Sequence, residues 1–560
     1  MLYPKIAVIL DDFSFQCFEP ECQLIPITPE DWQETLAAES PDFLFVESAW
    51  HGNNDTWRGK IRTSRGQPSQ QLIELIRWCK DEKIPTVFWN KEDPVNHEKF
   101  KGTACLFDFI FTTDANCVPA YRKITDHDNI FVLPFAAQPK LHNPVGKDLE
   151  RLGRVAFAGS WYKIEHNNRK LDTDIILKPA LSHDLHIYDR MQGFTEDDNY
   201  IFPSIYQPYI VGSLPYNKMS ETYKKYDVFV NINSVKDSPT MFSRRVFEIL
   251  CSGTCVVSSY AKGIEETLPG LVNLCKTADD TKKFLDLLLK NKELRDRQAL
   301  LGVREVLRKH TYKHRLRHIT EKLGLEEGPD ITPGVTVITS TNRPGSFENI
   351  ISNYSRQSYL NKELVIILNN NKMDLQQWED KASLWDNVRV YQLAETKTLG
   401  ECLNYGVSRA RFDYVTKFDD DNYYAGEFIG DLMDAFSYAD AEIVGKYSYY
   451  AYLADRKILA VRFPGYEHRY VDFLSGSAMI VKKTVFDKVS FTNKSLGEDT
   501  DFLKECVKAG IKLYSADRFN YVCFRQPLTA KHSWNINDDE YLRKCEVVGY
   551  TEDFSTHVSV

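Results

Sequence analysis

Apolar residues in this chain fall into short runs, separated by segments in which they recur at every third or fourth position. The runs at 5–10, 43–47, 86–89, 109–112 and 130–133 read as buried strands, too short for helices. Between them Leu72, Leu75, Ile76 and Cys79 mark one face of a helix. Strand–helix alternation of this kind predicts a parallel sheet covered on both faces. The pattern restarts at 155–158, continues through 227–231 and 255–257, and closes in helices over about 278–320. Two Rossmann-like lobes are therefore expected, over about 1–150 and 151–323.

Two prolines and three glycines crowd residues 324–334, which read as a linker. A further α/β unit follows over 335–560, opening with the strand 335–340. Phe347, Ile350, Ile351 and Tyr354 then fall at helical spacing, and 364–368 form the next strand. The 560 residues, 43% hydrophobic, agree with more than one domain. A net charge of -9, with both signs mixed along the chain, disfavours nucleic acid as a partner. The amino terminus leads almost at once into a strand, so no signal peptide is expected, and no apolar run reaches the roughly 18 residues of a membrane span. Twelve cysteines without zinc-like spacing read as reduced thiols, which places the protein in the cytoplasm as a soluble chain. Any contact with a membrane would be peripheral.

Chemistry concentrates where strands end. Asp419, Asp420 and Asp421 close the apolar run 412–418, and charges this close resist ionising together unless a cation joins them. A divalent metal with oxygen ligands would serve, and would also hold a phosphate; a solvated acidic turn is the alternative. Polar loops leave the neighbouring strands too, with Thr341, Asn342 and Arg343 after one and Asn369, Asn370 and Asn371 after another. The carboxyl ends of strands carry the ligand crevice of an open α/β sheet, so one site is expected from all three loops. Glu498 and Asp499 open a helix marked by Phe502, Leu503, Cys506 and Val507. There they either provide a general base or act as caps.

These pieces, TNRP, ELVIILNNN, LGECLNYGVSRARFDYVTKFDDDN, FLSGSAMIV and LGEDTDFLKECVKAG, resemble family 2 glycosyltransferases of the GT-A fold over about 333–535. The resemblance implies a nucleotide-sugar donor, a UDP-sugar first, with Mn2+ or Mg2+ and inversion at the anomeric carbon. Thr341, Asn342, Arg343 and Asn369 would meet the nucleotide, although the family usually has Asp where Asn369 stands. Asp421 would bind the metal and Asp419 would lie nearer the ribose while contributing to the metal, with Asp420 able to exchange roles with either. Asp499 would be the base beside the loop Ser475, Gly476 and Ser477, Glu498 would orient acceptor or base, and His532 either returns to the metal or diphosphate or is an ordinary surface or packed histidine.

A second constellation lies in the amino-terminal half. The strand at 155–158 runs into Gly159 and Ser160, which allows close backbone approach to phosphate. Arg244 and Arg245 suit a diphosphate, and Glu248 suits ribose hydroxyls; the plainer reading makes 247–253 a core helix with its glycine stop. With PDFLFVESAWHGN, FWNKEDPVNH, FDFIFTTD and HTYKHR, these residues resemble GT-B glycosyltransferases of the spore-maturation group over about 1–323. One departure stands out: the glutamate expected eight positions before Glu248 is Thr240. Two functions stay open. Either both halves add sugars to a surface glycan or glycoconjugate, or one catalytic GT-A domain rides on a GT-B-like module that binds acceptor or partner. A nicotinamide oxidoreductase is disfavoured because no G-x-G-x-x-G follows the first strand.

Overall fold

The computed structural model describes residues 4–63, 68–163, 167–193, 197–325, 332–525 and 537–560. Two compact units emerge, the first made of 1–144 and 149–329, the second of 145–148 and 330–560. Most of the expected linker, 326–331, lies outside the described residues, as does His532.

The first unit holds two six-stranded sheets, each fully parallel. One is built from β1 (Lys5–Ile9), β2 (Gln23–Pro26), β3 (Phe43–Glu47), β4 (Thr86–Asn90), β5 (Phe109–Thr112) and β6 (Ile130–Val132), in the order 2-1-3-4-5-6. The other uses β7 (Gly153–Gly159), β8 (Leu185–Asp189), β9 (Ile210–Gly212), β10 (Tyr226–Asn231), β11 (Cys255–Ser259) and β12 (Asn273–Cys275), in the order 12-11-10-7-8-9. The apolar runs form strands because both of their faces are covered. Ala7, Ile9, Leu44 and Val46 pack with Leu72, Leu75, Ile76 and Cys79 on one side of the first sheet, and Ile6, Val8, Phe43 and Phe45 enter a separate cluster with Tyr312, Leu316 and Ile319. The closing helix Tyr312–Leu323 therefore returns to the first lobe rather than staying with the second.

The second unit is built on an eight-stranded mixed sheet. Its strands are β13 (Val335–Thr341), β14 (Lys362–Leu368), β15 (Val388–Gln392), β16 (Tyr414–Lys417), β18 (Ile443–Gly445), β21 (Arg469–Val471), β22 (Met479–Lys482) and β23 (Leu513–Ser515). The order is 15-14-13-16-22-18-23-21. A five-stranded sheet adds β17 (Tyr423–Tyr424), β24 (Tyr521–Arg525), β19 (Tyr449–Leu453), β20 (Ile458–Arg462) and β25 (Cys545–Tyr550), in that spatial order. Strand alternation sorts the large sheet's side chains into two cores: Leu364, Ile366 and Leu368 face one, Val365 and Ile367 the other. The second core also takes Val415 and the apolar face of the helix Glu498–Lys508, through Phe502, Leu503 and Cys506. That packing aims the start of this helix at the end of β16. Nine of the twelve cysteines are buried, and among the described residues no helix is long and apolar enough to cross a membrane.

Candidate functional site

In the second unit the parallel strands β13, β14 and β16 lie side by side and deliver their carboxyl-terminal loops to one edge. Hydrogen bonds tie the three loops together. Asn370 Nδ2 donates to the Asn342 carbonyl (3.0 Å), the Asn369 amide donates to the Thr341 carbonyl (2.8 Å), and Thr341 Oγ1 donates to Asp420. The Asn369 side chain points elsewhere, donating to the Ala394 carbonyl at 2.9 Å. Arg343 Nη1 spans two of the acids, 2.9 Å from Asp420 Oδ1 and 2.8 Å from Asp421 Oδ2.

The three acids divide by direction. Asp420 turns inward, its side chain 11% exposed, whereas those of Asp419 and Asp421 keep 33% and 24%. Burial, reinforced by Asp421 and Asp419, pushes the Asp420 carboxyl up to about 6 against the opposing pull of Thr341 and Arg343. Asp419 is likewise raised, first by burial and then by Asp421 and Asp499, with Lys417 opposing.

In the second unit, Lys417 is the residue that sequence reasoning missed. Two positions from Val415 on β16, it shares Val415's face and so points at the helix that Phe502 anchors. Its ammonium, 9% exposed, sits 3.3 Å from Asp419 Oδ1, 3.5 Å from Glu498 Oε1 and 3.7 Å from Asp499 Oδ2. Burial disfavours that charge, but Asp419, Asp499 and Glu498 outweigh it and hold the lysine above its ordinary range. One buried cation thus brings the acidic run and the Glu-Asp pair together, and strand alternation was the signal for it.

Asp499 is not the N-cap residue of its helix, yet its carboxylate satisfies one of the first-turn amides. The N-cap is Gly497 at φ 79°, and the Asp499 carboxylate accepts from the Thr500 amide at 2.7 Å. Gly476 lies directly against it: a Cβ there would fall 1.8 Å from Asp499 Oδ2, so only glycine lets this loop approach the carboxylate. Ser477 accompanies it, bonded to Tyr521 at 2.7 Å.

Five carboxylates (Asp419, Asp420, Asp421, Glu498 and Asp499) therefore face two cations, Lys417 and Arg343. The surplus is negative and the donors are all oxygen, which fits a hard divalent cation such as Mn2+ or Mg2+. The three-ligand group found among the described residues lies elsewhere, at Asp93, His97 and Cys117. There the Asp93 oxygens already accept from Asn90, Thr112 and Tyr121 and meet His97, which makes them a hydrogen-bond node.

In the first unit, Gly159 and Ser160 end β7, and three arginines gather at them. Arg245 donates to the Ala158 carbonyl, Arg190 Nε to Ser160 Oγ (3.2 Å), and Arg169 Nη2 to the Ser160 carbonyl (3.4 Å). Their other partners are neutral hydroxyls, Tyr162 for Arg190 and Ser234 for Arg169, and Arg245 Nε is buried with no hydrogen-bond partner. Burial, with Arg245 and Arg190 beside it, pulls Arg169 down to about 10. Arg169 and Arg190 had no motif to flag them.

Arg244 and Glu248 form a buried pair beside Arg245, near enough that Arg245 and Glu248 feel each other's charge. Glu248 is 2% exposed, accepts from Tyr223 (2.9 Å) and Tyr216 (3.2 Å), and pairs with Arg244 Nε at 3.2 Å. Arg244 in turn lies over the Phe13 ring at 3.7 Å. For Glu248 to meet ribose these bonds must be exchanged. Thr240 joins the lobes: its hydroxyl donates to the Thr113 carbonyl (2.8 Å) and accepts from the Ala115 amide (2.9 Å).

Residues 336–481 match glycosyl transferase family 2, and residues 176–321 match a family described as glycosyl transferase-like. The chain thus carries two glycosyltransferase-type regions in tandem. No curated protein matches it. Among solved structures it is similar to S. aureus TarS 1-349, at 17% identity and TM-score 0.27 over 34% of this chain and 60% of that one. The same TarS fragment in complex with UDP-GlcNAc matches at 14% identity and TM-score 0.27, over 38% of this chain and 64% of that one. Mannosyltransferase PcManGT from Pyrobaculum calidifontis, in complex with GDP-Man and Mn2+, matches at 15% identity and TM-score 0.26, over 38% of this chain and 63% of that one. The chain therefore spans less than two thirds of the length of each of these structures.

Proposed function

We propose that the second unit transfers a sugar, with inversion, from a nucleotide-sugar donor, a UDP-sugar first, to a hydroxyl of a glycan or glycoconjugate. The observation that carries this reading is the meeting of Asp419, Glu498 and Asp499 on Lys417, beside loops already joined through Thr341, Asp420 and Arg343. Asp419 and Asp421 are the residues that would hold a divalent cation, Mn2+ or Mg2+, whose charge offsets that of the departing diphosphate. Thr341, Asn342 and Arg343 line the nucleotide side, with Asn369 contributing its backbone and Asp420 fixing Thr341 and Arg343 in place. Asp499, its side chain 26% exposed and packed against the Gly476 loop, takes the acceptor's proton as the hydroxyl attacks. Glu498, 3% exposed and joined to Lys417, orients it.

For the first unit we propose a nucleotide-sugar site at Gly159 and Ser160, with the diphosphate held by Arg245 and by Arg169 and Arg190, and with Arg244 and Glu248 as the buried pair behind it. A second sugar transfer is the first reading. A binding module without transfer is the second, and one observation favours it: Glu248 is sealed by Tyr216, Tyr223 and Arg244, while Thr240 is committed to the first lobe. Hydrolysis of a panel of UDP- and GDP-sugars by the full chain, by Asp499→Asn and by Arg245→Ala tests the assignment. Activity abolished by the first variant alone assigns catalysis to the second unit; activity insensitive to both refutes the proposal.

A further inference from the structure

We infer that the sheet edge of the second unit continues, past the proposed reaction centre, into a binding groove for the sugar chain of the acceptor. This rests on the function proposed above. Five strands share one register line, along which Thr416, Ile480, Val444, Tyr514 and Tyr470 pair side by side. Lys417 and the acidic run leave one end of that line. Tyr447 follows β18, two strands away or about 10 Å at ordinary strand spacing, and β21 lies two strands farther on. The loop Ser475 to Ser477 enters β22 between them, with the Ser475 amide donating to the Lys446 carbonyl at 2.9 Å.

At the far end Tyr447, Tyr466, Arg469, Tyr470, Val471 and Asp472 line an open groove of about 450 Å3, within the usual size of small-molecule sites. Its floor is fixed. The Tyr447 and Tyr466 rings stack at 4.3 Å and 12°, and Phe463 and Phe473 meet Tyr447 edge-on, each at 5.4 Å. Tyr470 accepts from the Asp440 amide at 3.0 Å and packs edge-on against Tyr514. Even so, Tyr466 is 43% and Tyr470 46% exposed, so each leaves part of a held aromatic ring facing solvent. A pyranose ring has an apolar C–H face and a polar rim. The first packs on tyrosine rings, and the second suits the tyrosine hydroxyls, the Arg469 guanidinium and the Asp472 carboxylate that border them. A nucleotide diphosphate fits poorly, because Arg469 is the groove's one cation and Asp472 opposes it. Acceptor residues remote from the reacting hydroxyl would lie here, their reducing or non-reducing end reaching Asp499 along the edge.

The test titrates the full chain, without nucleotide, with cellohexaose, chitohexaose, maltohexaose and mannohexaose. Saturation-transfer NMR and calorimetry are the readouts. At least one hexaose should bind, about fivefold more weakly to Tyr466→Ala and near normally to Tyr466→Trp, which keeps an aromatic face. Metal-dependent donor hydrolysis should be the same in all three proteins. Binding by none of the four sugars, or affinity untouched by Tyr466→Ala, overturns the groove. Loss of donor hydrolysis in the unmodified chain, with Tyr466-dependent binding intact, would instead overturn the transferase reading and leave the groove standing.

Discussion

The two candidate nucleotide sites solve the same electrostatic problem with opposite materials. Around Ser160 three guanidinium groups share neutral partners, so positive charge is stored in the protein itself. Around Asp419 five carboxylates outnumber Lys417 and Arg343, so positive charge must come from outside. A diphosphate carries the same charge in both settings. Arginine forks hold it directly, with fixed geometry; a carboxylate cluster holds it only through a metal, which adds a dependence on metal concentration and pH.

The largest effect that would sharpen this contrast lies in the base. Asp499→Asn should keep nucleotide and metal affinity and melting temperature, while transfer by the second unit falls by roughly two to four powers of ten. Near-normal transfer would remove Asp499 from the mechanism. Asp421→Ala comes next: UDP binding to the second unit should lose its stimulation by Mn2+, read by calorimetry with and without chelator. Arg245→Ala should weaken nucleotide binding to the first unit by about ten- to a hundredfold, the scale of one charge-assisted hydrogen bond, and chelator should change nothing there. The smallest effect is on stability. Despite burial, Arg244, His142 and Tyr223 hold Glu248 below the usual carboxylate range. Its depressed folded pKa contributes stability above the ordinary glutamate range, and that stability is lost as pH falls through the folded value. Glu248→Gln should therefore lower the first unit's melting temperature at pH 7 and flatten its decline in acid. An unchanged pH profile would show that the pair adds no net stability.

Much of this was legible in the chain because strands and loops are local. Val335–Thr341, Lys362–Leu368 and their polar loops follow from apolar runs and what ends them. The acidic run and the Glu-Asp pair were visible too, as were Gly159, Ser160 and Arg245. Illegible were the partners that only packing supplies. Lys417 looks like a strand-end lysine until the helix Glu498–Lys508 closes over its face. Arg169 and Arg190 stand on separate elements and meet at Ser160 only through the order of β7 and β8. Direction was equally hidden, since Glu248 and Arg245 sit three residues apart on one short helix, yet one is sealed among tyrosines and the other opens toward the strand end. The departure at Thr240, legible as a missing acid, became a lobe-to-lobe hydrogen bond only in three dimensions.

The contrast between stored and borrowed positive charge is tested most directly by counting UDP sites on the full-length chain by calorimetry, once with Mn2+ and once with excess EDTA. The account predicts two sites with the metal and one with chelator, the survivor weakened about ten- to a hundredfold in Arg245→Ala. The same number of sites in both conditions would contradict it.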